Sequence, residues 1–372
     1  MNQVCRFLLA CVVFTVALTS SKAQVINKQA TKEAMLKALI WQEANPIFAK
    51  SFSDWTNGVY YTGVSKAHAA TKDKAYTDAL KTIAVKNEWK PWERYYHADD
   101  IIICFSYLYQ KSIRVKDVQL EPTLQIVKDH LYKPNLWKTG VSEGNDPTEK
   151  SILWWWCDAL FMAPPVIAAY AKETKDTSVL RSMDQYYKET YDLLYNKEEH
   201  LFARDTRFLW KGTPNDRKEA NGKKIFWGRG NGWVFAGLAL LLTELPKNYA
   251  NRPFYEKLYK EMAEKIISLQ QEDGLWRTSL LNPQAYAHGE VSASGLYTYG
   301  LAWGVNNGLL KKATYKPLVV KAWNAIVACQ QENGKVGWVQ NIGADPGPAT
   351  ADTWQNYGTG AFLLAGSQVL KF

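Results

Sequence analysis

The 372-residue sequence predicts an all-α protein, an (α/α)6 barrel built from about six helical hairpins. Three observations lead there. Amphipathic helical periodicity recurs from end to end, and strand-like alternation is confined to short pieces between the helices. Segments that are apolar on more than one face alternate with segments that carry Lys and Glu on one face. A turn sequence also returns after sixty positions, Gln270-Gln271-Glu272-Asp273-Gly274-Leu275-Trp276 as Gln330-Gln331-Glu332-Asn333-Gly334-Lys335-Val336-Gly337-Trp338. Each copy follows an amphipathic helix, the mark of a repeated hairpin with a loop on one side.

The elements follow in chain order. Met1 to Ala23 joins Arg6 to the apolar run Phe7 to Leu18 and ends in Ser21-Lys22-Ala23, the form of a secretory leader, too short and wrongly flanked to span a membrane. The alternative of a lipoprotein leader at Leu8-Leu9-Ala10-Cys11 fits less well, because most of the apolar run lies after that cysteine. The mature chain is expected to begin at Gln24 and run to Phe372 as one barrel domain, periplasmic or secreted, with no membrane span. Helices are expected near 32–44, 55–70, 74–86, 97–111, 120–131, 151–173, 178–196, 229–245, 254–271, 291–309, 313–332 and 355–370. Segments 151–173, 229–245 and 291–309 are rich in Ala, Gly, Leu and aromatics and belong on an inner wall; 178–196, 254–271 and 313–332 belong outside. No Pro-rich or Ser-rich linker divides them. Short echoes at Leu136-Trp137-Lys138-Thr139 and Leu201 to Thr206 extend the repeat. Loops at one mouth of such a ring are the expected place for a site.

Composition removes several classes of function. Cys5 and Cys11 fall in the leader, and Cys104, Cys157 and Cys329 are odd in number and set among apolar residues, so no disulfide framework is expected. The five histidines, His68, His97, His130, His200 and His288, are scattered, and no CxxC pair occurs; no metal and no cofactor are expected. The formal charge of +9 falls to +7 without Arg6 and Lys22. The lysines are spread over helix faces, with no basic block interleaved with aromatics, which argues against nucleic acid and for an anionic polysaccharide fragment. Oligomeric state cannot be read from the sequence.

Four stretches carry chemistry. In Ser151 to Pro165 three tryptophans, Trp154-Trp155-Trp156, precede Asp158 in an otherwise apolar run. An acid in such surroundings is held protonated and can donate a proton, and Trp faces stack on sugar rings. A carboxylate simply hydrogen-bonded in a helical core explains the run equally well. On a helix, only one or two of the tryptophans could face a pocket. Phe226 to Trp233 places Trp227, Arg229, Asn231 and Trp233 among three glycines at a helix start. There Arg229 could grip a carboxylate through a bidentate fork while the tryptophans pack on a sugar; glycines chosen for tight packing are the alternative. In His97-Ala98-Asp99-Asp100 one acid is expected to cap the next helix and the other to face Asp158. Arg204-Asp205 and Glu290 are polar groups for which capping and binding serve equally.

The runs Trp155 to Pro165, Trp227 to Trp233 and Tyr357-Gly358-Thr359-Gly360-Ala361-Phe362 resemble the unsaturated rhamnogalacturonyl hydrolases of glycoside hydrolase family 105, related to the unsaturated glucuronyl hydrolases. The similarity spans nearly the whole mature chain. It implies an (α/α)6 barrel enzyme that removes the 4,5-unsaturated uronic acid left at the non-reducing end by polysaccharide lyases, acting by hydration of the C4=C5 vinyl ether. Matched motif by motif, it implies Asp158 as the acid and then base, Asp100 rather than Asp99 as the second carboxylate, and Trp227, Arg229 and Trp233 as substrate-binding residues. Asp205 aligns where some relatives carry histidine; Trp156 and His97 complete the expected substrate-binding set. The expected partner is an unsaturated acidic oligosaccharide of the rhamnogalacturonan or ulvan type. Competing readings are an inverting two-carboxylate glycosidase with Glu93 or Glu290 as base, and a non-catalytic sugar-binding barrel.

Overall fold

In the computed structural model, which describes residues 25–47, 51–94, 97–133 and 152–372, the chain passes six times from an outer helix to an inner one. The outer helices are α1 (Lys28–Ala44), α3 (Lys74–Lys86), α6 (Glu121–Tyr132), α9 (Val179–Leu194), α11 (Arg252–Ser268) and α13 (Lys312–Ala328). The inner wall is α2 (Trp55–Thr71), the pair α4 (Ala98–Ile101) and α5 (Cys104–Ser112), the pair α7 (Ala159–Met162) and α8 (Pro164–Thr174), then α10 (Gly228–Glu244), α12 (Val291–Asn306) and α14 (Asn356–Val369). Each inner element packs on the next, and α14 packs back on α2, so the ring is closed. This is the expected (α/α)6 barrel.

Burial explains which helix goes where. Every residue of α14 is buried, as is almost all of α10 and α12, because an inner helix has neighbours on both flanks and an outer helix behind it. The outer helix α9 buries a single stripe that includes Val179, Met183, Tyr187 and Leu194. Where α2 meets α14 the backbones nearly touch. A Cβ on Gly63 would lie 2.4 Å from the carbonyl oxygen of Gly360, so neither position tolerates a side chain without spreading the seam.

The sixty-residue echo is a real structural repeat. After α11, Gln270 donates to Gly274 O and reaches Leu318 O of the next outer helix; after α13, Gln330 donates to Gly334 O and to Ala34 O of α1. Gly274 and Gly334 both take left-handed backbone, φ +89° and +98°. The earlier echo at 136–139 lies outside the described residues. So does the leader.

Two expected helices are broken. Segment 151–173 is one run in the pattern, but residues 152–158 form turns, and α8 starts at Pro164-Pro165, whose rings cannot continue a helix from the preceding turn. Segment 97–111 pauses at Ile102-Ile103 between α4 and α5. The short strand pieces are β1 (Tyr195–Asn196) and β2 (Leu201–Phe202), paired antiparallel.

Connections are unequal, and this positions the site. Inner-to-outer links are short, as at residues 72–73 and 175–178, whereas outer-to-inner links such as 195–227, 269–290 and 329–355 are long. All long loops therefore lie at the mouth where the inner helices begin.

Candidate active site

A cavity of about 450 Å³ opens at that mouth. Its wall contains six tryptophans (55, 92, 155, 156, 227 and 233), Arg94, Arg204 and Arg229, the acids Asp54, Asp99 and Asp158, His97, Met162 and the segment 342–344. Asp54, Trp55, His97, Asp158, Trp227 and Arg229 all sit at or beside the first residue of an inner helix. Four inner helices, α2, α4, α7 and α10, start at this cavity and turn their partial positive ends toward it, which favours an anionic ligand.

Asp158 precedes α7 and is 9% exposed. Burial pushes its carboxyl above the usual range, opposed by the charges of Arg204 and Arg229 and by a contact from Cys157 Sγ at 3.5 Å. Because residues 154–156 lie in turns rather than a helix, the tryptophans separate. Trp155 and Trp156 line the cavity, while Trp154 is core, donating Nε1–H to His130 Nε2 at 2.9 Å. His97 packs on Trp156 at 4.7 Å between ring centres, accepts the Asp99 N–H on Nδ1, and is held neutral by burial and by the nearby Arg94.

The choice of Asp100 over Asp99 is corrected by the geometry. Asp100 is fully buried and turned toward Arg94, accepting from its backbone N–H, Nε and Nη2 at 2.8, 3.1 and 2.7 Å. Burial pushes it up to about 6 against that pull. Asp99 lines the cavity, and its Oδ1 has no hydrogen-bond partner among the described residues. Its carboxyl is held well above the usual range by burial, then by the charges of Asp158 and Asp100. Two adjacent positions on a one-turn helix point about 100° apart, so an offset counted from the following segment, which pauses at Ile102, selected the wrong one.

Asp205 is likewise not on the cavity wall. It is fully buried and accepts from Arg207 N–H, Nε and Nη2 and from Arg204 Nη1 at 2.8 Å. Burial works against its charge, but the two guanidinium groups outweigh it and hold its carboxyl low. The residue that reaches the cavity is Arg204, with Nε 3.5 Å from Asp158 Oδ2 and its guanidinium over the Trp155 ring. Arg204 O accepts the Cys157 N–H, and Asn231 clamps Phe202 through both backbone groups, so Arg204 and Asp158 are fixed to each other by main chain.

At the start of α10 the glycines and the larger side chains are placed differently. The glycines serve packing: a Cβ on Gly228 would lie 2.4 Å from Arg277 O, and the Gly228 N–H is taken by Thr278 O. Trp227 and Trp233 line the cavity. Arg229 also faces it, but its outer fork is already engaged, with Nη1 donating to Gln340 O and Nη2 to Asn341 O. It lies between the Trp227 and Tyr357 rings, and its Nε–H is buried without a partner. Arg229 thus carries the segment 340–344 over the cavity and presents charge with one unused donor, rather than an empty fork.

Glu290 caps α12 and also accepts the Gln340 N–H, leaving it no place on the cavity wall, and Glu93 is exposed. Sequence reasoning missed Trp55, Trp92, Arg94 and 342–344. Asp54-Trp55, an acid followed by an aromatic at a helix start, was the available signal for the first. Among the described residues no group of three His, Cys, Asp or Glu is arranged to hold a metal ion, and no helix is long and apolar enough to cross a membrane.

A closed six-hairpin barrel with a buried acid in an aromatic, arginine-lined cavity at its helix starts defines a carbohydrate-active barrel enzyme. The chain belongs to Glycosyl Hydrolase Family 88, whose model matches residues 23–372. An unsaturated 3S-rhamnoglycuronyl hydrolase of Formosa agariphila is 55% identical over 374 residues, covering 100% of this chain and 99% of that protein. Among solved structures, a family 88 glycosyl hydrolase from Bacteroides vulgatus is 28% identical with TM-score 0.80, covering 93% of this chain and 99% of that one. One described as a polysaccharide lyase is 30% identical, also at TM-score 0.80, covering 92% and 97%. The chain is a glycoside hydrolase of the unsaturated-uronyl type that the sequence motifs resemble.

Proposed function

We propose that this enzyme removes the 4,5-unsaturated uronic acid from lyase-generated oligosaccharides of sulfated, rhamnose-containing glycuronans, with Asp158 as proton donor. The observation that carries the reading is Asp158 itself: a carboxyl kept protonatable by burial, on the wall of a Trp- and Arg-lined cavity, facing a second carboxylate. The name of the 55% identical relative and the surplus of Lys and Arg support the sulfated substrate over a rhamnogalacturonan.

The chemistry follows. Asp158 gives its proton to C4 of the vinyl ether, and positive charge develops at C5 and the ring oxygen. The carboxylate left behind stabilises that charge at low local dielectric, then takes a proton from the water that adds at C5. The C5 hemiketal opens, leaving a hemiacetal at C1 that expels the rest of the sugar chain. Asp99, with its unpartnered oxygen on the cavity wall, orients that water or a sugar hydroxyl. Arg204 and Arg229 favour binding of the substrate carboxylate. The N-terminal leader pattern supports export ahead of a single barrel domain, to the periplasm or the medium.

The test is to follow the ultraviolet absorbance of the unsaturated uronate. Wild-type protein is expected to remove it, and Asp158→Asn to lose about 10²- to 10⁴-fold in kcat without a change in Tm. An Asp158→Asn enzyme of near wild-type rate overturns the assignment. So does a gain of absorbance on intact polysaccharide, which a lyase would give, or cleavage of saturated oligosaccharides, which an inverting two-carboxylate enzyme would give.

A further inference from the structure

The loop joining β2 to α10 leaves the cavity at Arg204 and returns to it at Trp227, so both its stems belong to the cavity wall. Between them, residues 207–224 carry Arg207, Lys211, Arg217, Lys218, Lys223 and Lys224 against Asp216 and Glu219. The linear sequence shows no basic block interleaved with aromatics, but the fold makes one. Lys218 and Lys224, joined by an antiparallel bridge, place their ammonium groups over the Trp210 ring at 5.7 and 5.9 Å. Arg217 and Arg207 flank Phe208 at 5.0 and 5.5 Å. Trp210 is 40% exposed, a large apolar ring that a core-forming role would have buried.

The loop's acids are spent on holding its shape. Asp216 accepts the N–H groups of Lys211, Gly212 and Thr213, and Glu219 accepts from Ser279 Oγ, while Asn221 donates to Leu281 O. Among the described residues no carboxylate lies within ion-pair distance of Arg217 or Lys218. Lys224 is paired with Glu198 and Arg207 with Asp205, which leaves Arg217 and Lys218 as the platform's unneutralised charges, and a pinned loop that holds them beside an exposed tryptophan is preorganised for an anionic sugar chain.

We propose that residues 207–224 form a second binding site, centred on Trp210, Arg217 and Lys218, for the anionic sugars beyond the one attached to the departing uronic acid. The proposal rests on the proposed oligosaccharide substrate, because the loop that carries the platform is rooted at Arg204 and Trp227 in the wall of the cavity that would hold its unsaturated end. It predicts that the enzyme favours longer anionic oligosaccharides over disaccharides.

The test compares Trp210→Ala and the pair Arg217→Ala/Lys218→Ala with a control pair of equal charge loss on outer helix α11, Lys257→Ala/Lys260→Ala. With lyase-generated di-, tetra- and hexasaccharides, the platform variants are expected to raise KM about tenfold for the longer substrates and to leave the disaccharide and kcat unchanged. Equal losses at every length, or equal losses in the control, overturn the proposal. Calorimetry with a dextran sulfate oligosaccharide, against neutral dextran of the same length, reads the platform without turnover. Weaker binding in Trp210→Ala than in the control supports the site even if no unsaturated sugar is consumed, in which case the proposed reaction alone fails. Binding unaffected by Trp210→Ala, or tighter capture of a single-stranded oligothymidylate than of the sulfated sugar, overturns it.

Discussion

The two mouths of the barrel each hold a buried carboxylate facing cations, yet the two carboxylates are driven in opposite directions. At the helix starts, Asp158 is raised by burial despite Arg204 and Arg229. At the helix ends, Glu244 meets the same penalty, but Lys66 at 3.3 Å and Lys172 at 3.0 Å outweigh it and hold its carboxyl low. Distance and competition make the difference. At Glu244 two ammonium groups converge on one carboxylate, whereas Arg204 sits 3.5 Å from Asp158 and gives its closer bond, 2.8 Å, to Asp205. Helix ends also carry partial negative charge, which suits lysines there, as helix starts suit an anionic ligand. One mouth is a paired structural clasp; the other keeps Asp158, the proposed proton donor, underpaired. An acid is available for chemistry where a neighbouring acid takes its cation away.

The sharpest way to break this contrast lies within the active mouth. Asp99→Asn is expected to lower kcat at least about 100-fold with Tm nearly unchanged, because its unpartnered oxygen faces the cavity, while Asp100→Asn should mainly lower Tm by uncoupling Arg94. Equal kinetic losses would remove the distinction drawn between them. Next comes Asp205→Asn. With its competitor gone, Arg204 is expected to turn to Asp158 and stabilise the carboxylate. Since the proposed reaction needs protonated Asp158, the alkaline limb of the kcat profile should move to lower pH; an unmoved limb would show that Asp205 does not govern the proposed donor. The groups facing Asp158 in that experiment are Arg204, Arg229, Asp99 and Cys157. The smallest effect belongs to the far mouth. Glu244→Gln should leave kcat unchanged and cost on the order of 1 kcal/mol, a Tm drop of roughly 2–4 °C. Because the folded carboxyl titrates below its ordinary value, its contribution is present above the glutamate range and is lost as pH falls, so the Tm gap should close in acid.

The fold was legible because its periodicities are long. Twelve helices at 3.6-residue spacing and an echoed turn leave few architectures, and the apolar-on-all-faces character of 229–245 and 291–309 already separates inner from outer. Asp158, Trp227 and Trp233 were legible because runs of tryptophan beside an acid or glycines are rare compositions. What failed was orientation. Asp99 and Asp100 have the same composition, and only the break at Ile102 decides which one reaches the cavity. Asp205 and Arg204 are adjacent as well, and the sequence does not state which turns inward. Arg94 and the 342–344 segment come from loops whose approach to the cavity depends on contacts hundreds of residues away, such as Arg229 with Gln340.

The seam between α2 and α14 has a consequence for how the enzyme comes into being. Five of the six joins in the inner wall link elements close in sequence, but the last joins residues some 300 positions apart, among them Asn356 with Thr56 and Asn57. Closing so long a loop adds little entropy beyond that of a shorter one, yet it comes late, since the pairings on either side must form first. Trp55 and Tyr357 stack across that seam at 5.3 Å, and Trp55 is cavity wall. A chain still being made can thus hold most of its hairpins and no finished substrate pocket, and catalytic competence should appear in refolding as a single late event, after most of the helix has formed.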